Sequence, residues 1–316
     1  MKKVFIIAII VFLLISISFS ERILPYFDLQ GHRGCRGLRP ENTLEAFEHA
    51  LEIGVTTLEL DTGITKDSVP VVSHDRALNP QKTRINGTFI TEEILIKDIT
   101  YEELSQYDVG VMRSDYDWPR QKEIPCAKIP RLEDVFVLVK EYEELQDRKI
   151  MLNIETKISP SAPEKTFSPE EFVEILLELI EEYEMEDRVI IQSFYWKTIM
   201  LVKEKNSSIK TAALLTSSRM FSTKWLNGLR FASFGFDVGN LVKASGADFF
   251  SPSYSDCSDK WVESAHDQCI PVIPWTINDK ETMKDFIEKG VDGIITDYPD
   301  ILKDLLDELN IEYNIE

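Results

Sequence analysis

The sequence predicts an α/β protein built as a closed (β/α) barrel. Short β-branched runs alternate with amphipathic segments from about residue 26 almost to the C-terminus, the pattern of a parallel sheet covered by helices. About eight such β-α units can be counted. Polar and charged residues stand at the C-terminal ends of many different runs, which suits a ring of loops on one barrel face. The doubly wound alternative lacks its fingerprint: "GHRGCRG", after the first run, has neither the glycine spacing nor the acidic partner of a dinucleotide site.

Residues 1–20, "MKKVFIIAIIVFLLISISFS", read as a signal peptide. Lys2 and Lys3 supply the basic start, Val4 to Ile15 the apolar run, and Ser18 and Ser20 the small residues a signal peptidase reads. The run is shorter than the roughly 20 residues of a comfortable bilayer span. The expectation is an exported protein, periplasmic or secreted, with no stable membrane span after cleavage and one domain over 21–316.

Candidate strands follow at 26–31, 55–61, 69–75, 150–157, 189–194, 209–216, 247–253, 270–278 and 291–297. The run at 69–75 is counted as an extra strand beside the second. Helical patterns such as "TLEAFEHALEIG", "RLEDVFVLVKEYEEL", "PEEFVEILLELIEEYE", "WKTIMLVKEKN", "DKETMKDFIEKG" and "PDILKDLLDELN" fall between them. Several open on Asn, Ser or Asp caps and close on Gly. Between Arg76 and Pro130 the rhythm breaks, so residues 76–130 are expected to form an insertion on the face that carries the polar strand ends.

With 43% hydrophobic and 28% charged residues the chain has the composition of a globular protein with a full core. Its net charge of -20 argues against nucleic-acid binding by phosphate neutralisation. An anionic substrate would therefore need local cations. The four cysteines, Cys35, Cys126, Cys257 and Cys269, allow three fully paired connectivities and form no CxxC pair, so a zinc site or redox dithiol has no support. Their pairing stays open, and Cys35 reads as a small buried side chain.

Glu59 and Asp61 in "TLELDTG" are two apart, so on a strand both point to one face. Glu155 in "LNIETK" repeats the pattern, with Asn153 and Lys157 on the same side of the alternation. Three inward carboxylates at strand ends would repel one another, and a hard divalent cation, Ca²⁺ or Mg²⁺, relieves that repulsion. His32 ends the first strand and His74 ends the extra one, so both are expected at equivalent strand ends beside the carboxylates. Two histidines beside carboxylates can divide proton removal and donation. Arg33 and Lys157 are the cations an anionic phosphate needs. His49 and His266 lie in helical patterns with acidic neighbours and read as surface or satisfied residues.

Together "GHRG", "PENTLEAF", "LELDTGITKDSVPVVSHD", "NIETK", "IQSF", "PWTIN" and "GIITDYP" resemble the glycerophosphodiester phosphodiesterase family, in that family's order from Gly31 to Pro299. The resemblance implies a (β/α)8 TIM barrel with a small insertion after the second histidine. It implies His32 and His74 as the acid/base pair, Glu59, Asp61 and Glu155 on a divalent metal, and Arg33 and Lys157 on the phosphate. Glu41 and Asn42 of "PENT" would support the site, Trp275 would wall the alcohol or glycerol side, and Gln192 and Asp297 would line the pocket. Ser68 departs from the family's usual Gly, and its hydroxyl is expected to hold the turn. The expected reaction is metal-dependent hydrolysis of small-molecule glycerophosphodiesters to an alcohol and sn-glycerol 3-phosphate. The rivals are a phospholipase-D-like enzyme acting on lysophospholipids, and an exported binding protein that keeps the barrel without catalysis. Head-group preference, the choice of nucleophile and the oligomeric state stay open.

Overall fold

Strand β1 (Asp28–Gly31) is buried along its whole length, and so are β2 (Thr57–Ile64) and β7 (Val189–Ser193). Strands buried on both faces require a neighbour on each side and helices outside. The computed structural model, which describes residues 22–113 and 118–314, shows that arrangement. The proposed signal peptide lies outside the described residues. After β1 and β2, separated by α1 (Leu44–Ile53), come β3 (Pro70–Val72), β4 (Arg84–Ile85), β5 (Thr88–Phe89), α2 (Tyr101–Leu104) and α3 (Leu132–Gln146). Then follow β6 (Met151–Thr156), α4 (Pro169–Glu182), β7, α5 (Trp196–Lys205), β8 (Lys210–Leu215), α6 (Val238–Ser245) and β9 (Phe249–Pro252). The chain ends with α7 (Asp259–His266), α8 (Lys280–Glu288), β10 (Gly293–Thr296) and α9 (Pro299–Leu309).

Seven parallel strands run in the order β10-β1-β2-β6-β7-β8-β9. The sheet curls until its edges meet across residues 271–277. Phe250 N donates to Pro271 O (2.9 Å) and Trp275 N to Pro252 O (3.1 Å) on the β9 side. Asp292 N donates to Val272 O (2.9 Å) and Ile295 N to Pro274 O (3.0 Å) on the β10 side. Pro271 and Pro274 lack N–H donors, so this eighth stave closes the TIM barrel without a regular ladder.

β3 changes one expectation. It pairs antiparallel with β2, Thr62 opposite Val72, after a tight turn over 65–69. That turn puts Ser68 in the left-handed region (φ 63°), and Thr65, not Ser68, supplies the hydroxyl that closes it, accepting from Val69 N at 3.1 Å. Since β3 returns along β2, its C-terminal end reaches the barrel mouth from above. The two histidines thus do not occupy equivalent strand ends: His32 ends a barrel stave and His74 ends a returning hairpin.

Residues 76–130 hold the β4–β5 hairpin and α2, and they carry their own apolar cluster, including Leu78, Ile90, Ile96 and Leu104 packed with Val71 of β3. All four cysteines are free, Cys35 and Cys257 buried and Cys126 and Cys269 exposed. Cys35 Sγ donates to Ala46 O at 3.3 Å, so it packs the His32 loop against α1. His266 pairs through Nε2 with buried Asp292 (2.8 Å) while its buried Nδ1 has no partner among the described residues, and His49 meets Glu52 on its own helix (3.0 Å). No helix among the described residues is long and apolar enough to cross a membrane.

Candidate active site

The turn after β1 is built around two glycines. A Cβ at Gly31 would lie 2.1 Å from Gly34 O, and one at Gly34 would lie 2.8 Å from the Ala46 backbone. Gly34 also has φ 82° and Arg33 φ 51°, conformations that favour glycine and strain other residues. The strained Arg33 backbone is held from both sides: its N–H donates to Glu59 Oε2 (2.9 Å) and its C=O accepts from Asn42 N (3.1 Å). His32 and Arg33 are thereby fixed at the barrel mouth.

"PENT" does four separate jobs in four residues. Pro40 O accepts from the Thr43 hydroxyl (2.7 Å), and Thr43 Oγ1 caps α1 by accepting from Ala46 N (3.2 Å). Glu41 accepts from Arg33 Nη1 (2.9 Å) and from Lys82 of the insertion. Asn42 donates from Nδ2 to Asp61 Oδ2 (2.9 Å). The motif therefore orients one cation and one carboxylate of the site while it starts a helix.

Register brings the carboxylates together. Asp61 stands opposite Glu155 across β2 and β6, and Glu59 lies two residues earlier on the same face. Ligand oxygens of Glu59, Asp61 and Glu155 all fall within 4.8 Å of one another, and all three residues are buried. Lys157 Nζ reaches Glu155 Oε1 (2.9 Å) and Asp61 Oδ1 (3.4 Å), and Arg33 Nε lies 3.2 Å from Asp61 Oδ2. Gln192 donates to Glu59 Oε1 (2.7 Å), leaving its buried Oε1 without a partner.

The charges resolve unevenly. Burial, reinforced by Asp61, pushes the Glu59 carboxyl well above the usual carboxylate range. Burial acts upward on Asp61 too, but Lys157 and Arg33 override it and hold Asp61 well below that range. Crowded, buried oxygen donors of this kind fit a hard divalent ion, which would let Glu59 ionise beside its neighbours.

Each histidine carries its own carboxylate. His32 Nδ1 is 2.6 Å from Asp297 Oδ1, and its Nε2 lies 3.9 Å from Glu59 Oε2. Burial pushes His32 down to about 4, against the pull of Asp297. His74 Nδ1 is 3.0 Å from Asp75 Oδ1, and this imidazole is half-buried. Asp297, raised by burial, is nevertheless held below the usual range by His32 and Arg36. Arg36 grips it with Nε and Nη2 (2.8 and 2.9 Å), and Asn278 Nδ2 donates to it at 2.7 Å.

A cavity of about 220 Å³ opens among these groups. His32, Arg33, His74, Glu155, Lys157 and Trp275 line it, and Glu59 and Gln192 form its floor. Asp61, Glu41, Asn42 and Asp297 stand behind them. Phe194 meets the Trp275 ring edge-on at 5.4 Å to complete an aromatic wall. Arg36, Lys82 and Asn278 also join the site, each through a carboxylate partner. Asn278 was visible within "PWTIN", whereas Arg36 and Lys82 sit in unpatterned stretches and are revealed only by their carboxylate partners.

The sequence pattern of the glycerophosphoryl diester phosphodiesterase family matches residues 32–301. A glycerophosphodiester phosphodiesterase of Caldanaerobacter subterraneus subsp. tengcongensis is 31% identical over 279 residues, spanning 87% of this chain and 96% of that one. One of Bacillus altitudinis is 33% identical over 273 residues, spanning 85% and 94%. A crystal structure from Silicibacter pomeroyi DSS-3 superposes with a TM-score of 0.82 at 29% identity, over 93% of this chain and 97% of that one.

Proposed function

The chain belongs to the glycerophosphoryl diester phosphodiesterase family, and from that premise we propose that it hydrolyses glycerophosphodiesters to an alcohol and sn-glycerol 3-phosphate outside the cytoplasm, by metal-dependent acid/base catalysis. The observation that carries this reading is one cavity lined by two carboxylate-paired histidines and by Arg33, Arg36 and Lys157, with the cluster of Glu59, Asp61 and Glu155 beside them.

Arg33 and Lys157 offset the carboxylates and hold the non-bridging phosphate oxygens. Glu59, Asp61 and Glu155 would hold the metal, and what a bound Ca²⁺ or Mg²⁺ supplies there is Lewis acidity toward the phosphoryl oxygens. Asp297 accepts from Nδ1 of His32, which leaves Nε2 as a lone pair turned toward the cavity. His32 therefore acts as base on the attacking hydroxyl. Burial disfavours a standing imidazolium on His32, while half-buried His74, paired through Nδ1 with Asp75 and lining the same cavity, is the donor to the leaving alkoxide. The orphan Gln192 Oε1 accepts from a glycerol hydroxyl, and Trp275 covers the carbon skeleton.

Release of glycerol 3-phosphate from glycerophosphocholine and related diesters tests the activity. EDTA should abolish it, Ca²⁺ or Mg²⁺ should restore it, and elemental analysis should find the metal retained by the parent and lost from Glu155→Gln. Full turnover by chelated, metal-free protein would remove the metal from the reading. No turnover under any metal would favour the non-catalytic binding protein.

A further inference from the structure

The loop between β8 and α6 differs from the rest of the chain in charge and exposure. In a protein of net charge -20, residues 217–236 carry Arg219, Lys224 and Arg230 and no Asp or Glu. Phe221 and Phe236 are 68% and 65% exposed. Both pack edge-on against the buried ring of Phe231, with centroids 5.7 and 5.6 Å away. One buried ring thus holds two phenyl groups out toward solvent. Lys224 and Arg230 are exposed and have no ion-pair partner among the described residues.

The loop leaves the C-terminal end of β8, the barrel face that carries the cavity mouth. Arg219 ties it there: its guanidinium stacks 4.0 Å from the Phe194 ring and 4.4 Å from the Trp225 ring. Phe194 is the ring that backs Trp275 in the cavity wall.

We propose that residues 217–236 form a docking surface for an anionic lipid leaflet, beyond the hydrolytic reading above. Phe221 and Phe236 enter the acyl boundary while Lys224 and Arg230 meet the headgroups. Exposed apolar rings beside unpaired cations are the composition that binds at headgroup level. Charge complementarity also sets the orientation, because the acidic remainder of the surface is repelled by the same lipid. A second copy of the chain is the weaker occupant: two phenyl rings fall far below the roughly 800 Å² per partner of a stable protein interface. Docked this way, the cavity mouth faces the lipid surface.

The test is co-sedimentation of the full-length chain with phosphatidylglycerol or phosphatidylcholine vesicles, alongside Phe221→Ser/Phe236→Ser and Lys224→Glu/Arg230→Glu. The apolar run from Val4 to Ile15 would enter either lipid, so the deciding quantity is the difference between parent and variants on phosphatidylglycerol. The charge-reversed pair should bind at least about thirtyfold more weakly, the loss expected from removing two cations alone, and the serine pair at least about tenfold more weakly. Both should turn over soluble glycerophosphocholine like the parent, so a failure here is distinct from a failure of the catalytic reading. Equal binding by the parent and both variants overturns the proposal. Loss of self-association in the variants, with vesicle binding unchanged, also overturns it and gives the patch to a second copy.

Discussion

His32 and Asp297 are joined across the first and last strands of the barrel, Nδ1 to Oδ1 at 2.6 Å. The contact lies between residues 265 apart in sequence, and it exists because β1 and β10 are neighbours in register, Gly31 opposite Thr296. Pairing β1 with β10 therefore also fixes which imidazole nitrogen faces the cavity.

Asp297→Asn should separate orientation from charge. The amide can keep a hydrogen bond to Nδ1, but by donating it would turn the imidazole to the other tautomer. We expect kcat to fall about 10²- to 10⁴-fold, the range of a lost general base, with KM little changed. An equal loss in Asp297→Asn and a fully unfolded control, or a change confined to KM, would contradict a positioning role. Arg36→Lys should fall between parent and Asp297→Asn, since a lysine cannot supply the two-pronged grip that Arg36 has on Asp297.

Glu41 gives a prediction about acid stability. Burial alone would raise its pKa, but Arg33, Lys82 and Arg36 hold it well below the usual carboxylate range. A carboxyl depressed in the folded state binds its proton more readily once unfolded, so its stabilisation is full above the unfolded pKa and disappears as pH falls through the folded one. Glu41→Gln should cost roughly 3 kcal/mol at pH 7, because it takes from buried Arg33 one of its two carboxylates, leaving Asp61, and takes from Lys82 its buried partner. The difference from the parent should shrink in strong acid. Denaturant unfolding at pH 7 and pH 3 measures both, and a difference that does not change with pH would mean Glu41 is not ionised in the fold.

Much of this was legible because the barrel obeys local rules. Carboxylates two apart on "TLELD" had to share a face, and "PENT" before an amphipathic run had to start a helix. What was not legible depended on direction or distance. The run "VPVV" reads as an extra strand beside the second, but its direction does not show in its residues: the reversal is set by the short turn over 65–69, which leaves no room for a crossover helix. Arg36 meets Asp297 across 261 residues and Lys82 meets Glu41 across 41. No periodicity announces an arginine or lysine whose partner lies in a distant loop or strand end. The eighth stave was visible as a strand, yet its two prolines made its ladder irregular in a way only the closed barrel explains.

Processing can be checked independently. If "SISFS" is cleaved, the mature protein should begin near Glu21 and be recovered outside the cytoplasm. N-terminal sequencing of the native protein tests this, and a chain that still carries Lys2 and Lys3 would be held by an uncleaved anchor.

The two histidines should part company when the leaving group changes. His32→Ala and His74→Ala should each lower kcat on glycerophosphocholine by about 10²- to 10⁴-fold while the fold survives, since neither side chain belongs to the apolar core. A nitrophenol leaving group departs without protonation. On such a diester His74→Ala should recover most of the lost rate, because only the acid becomes dispensable. His32→Ala should stay as slow on both substrates, because the attacking hydroxyl must still lose its proton. The assignment follows from environment: His32 is buried and locked to Asp297, whereas His74 is half-buried beside Asp75 on the returning hairpin. If His32→Ala is the variant that recovers, the roles are exchanged. If neither variant is impaired on glycerophosphocholine, the glycine-framed turn holds His32 for structure alone and the proton chemistry lies elsewhere in the cavity.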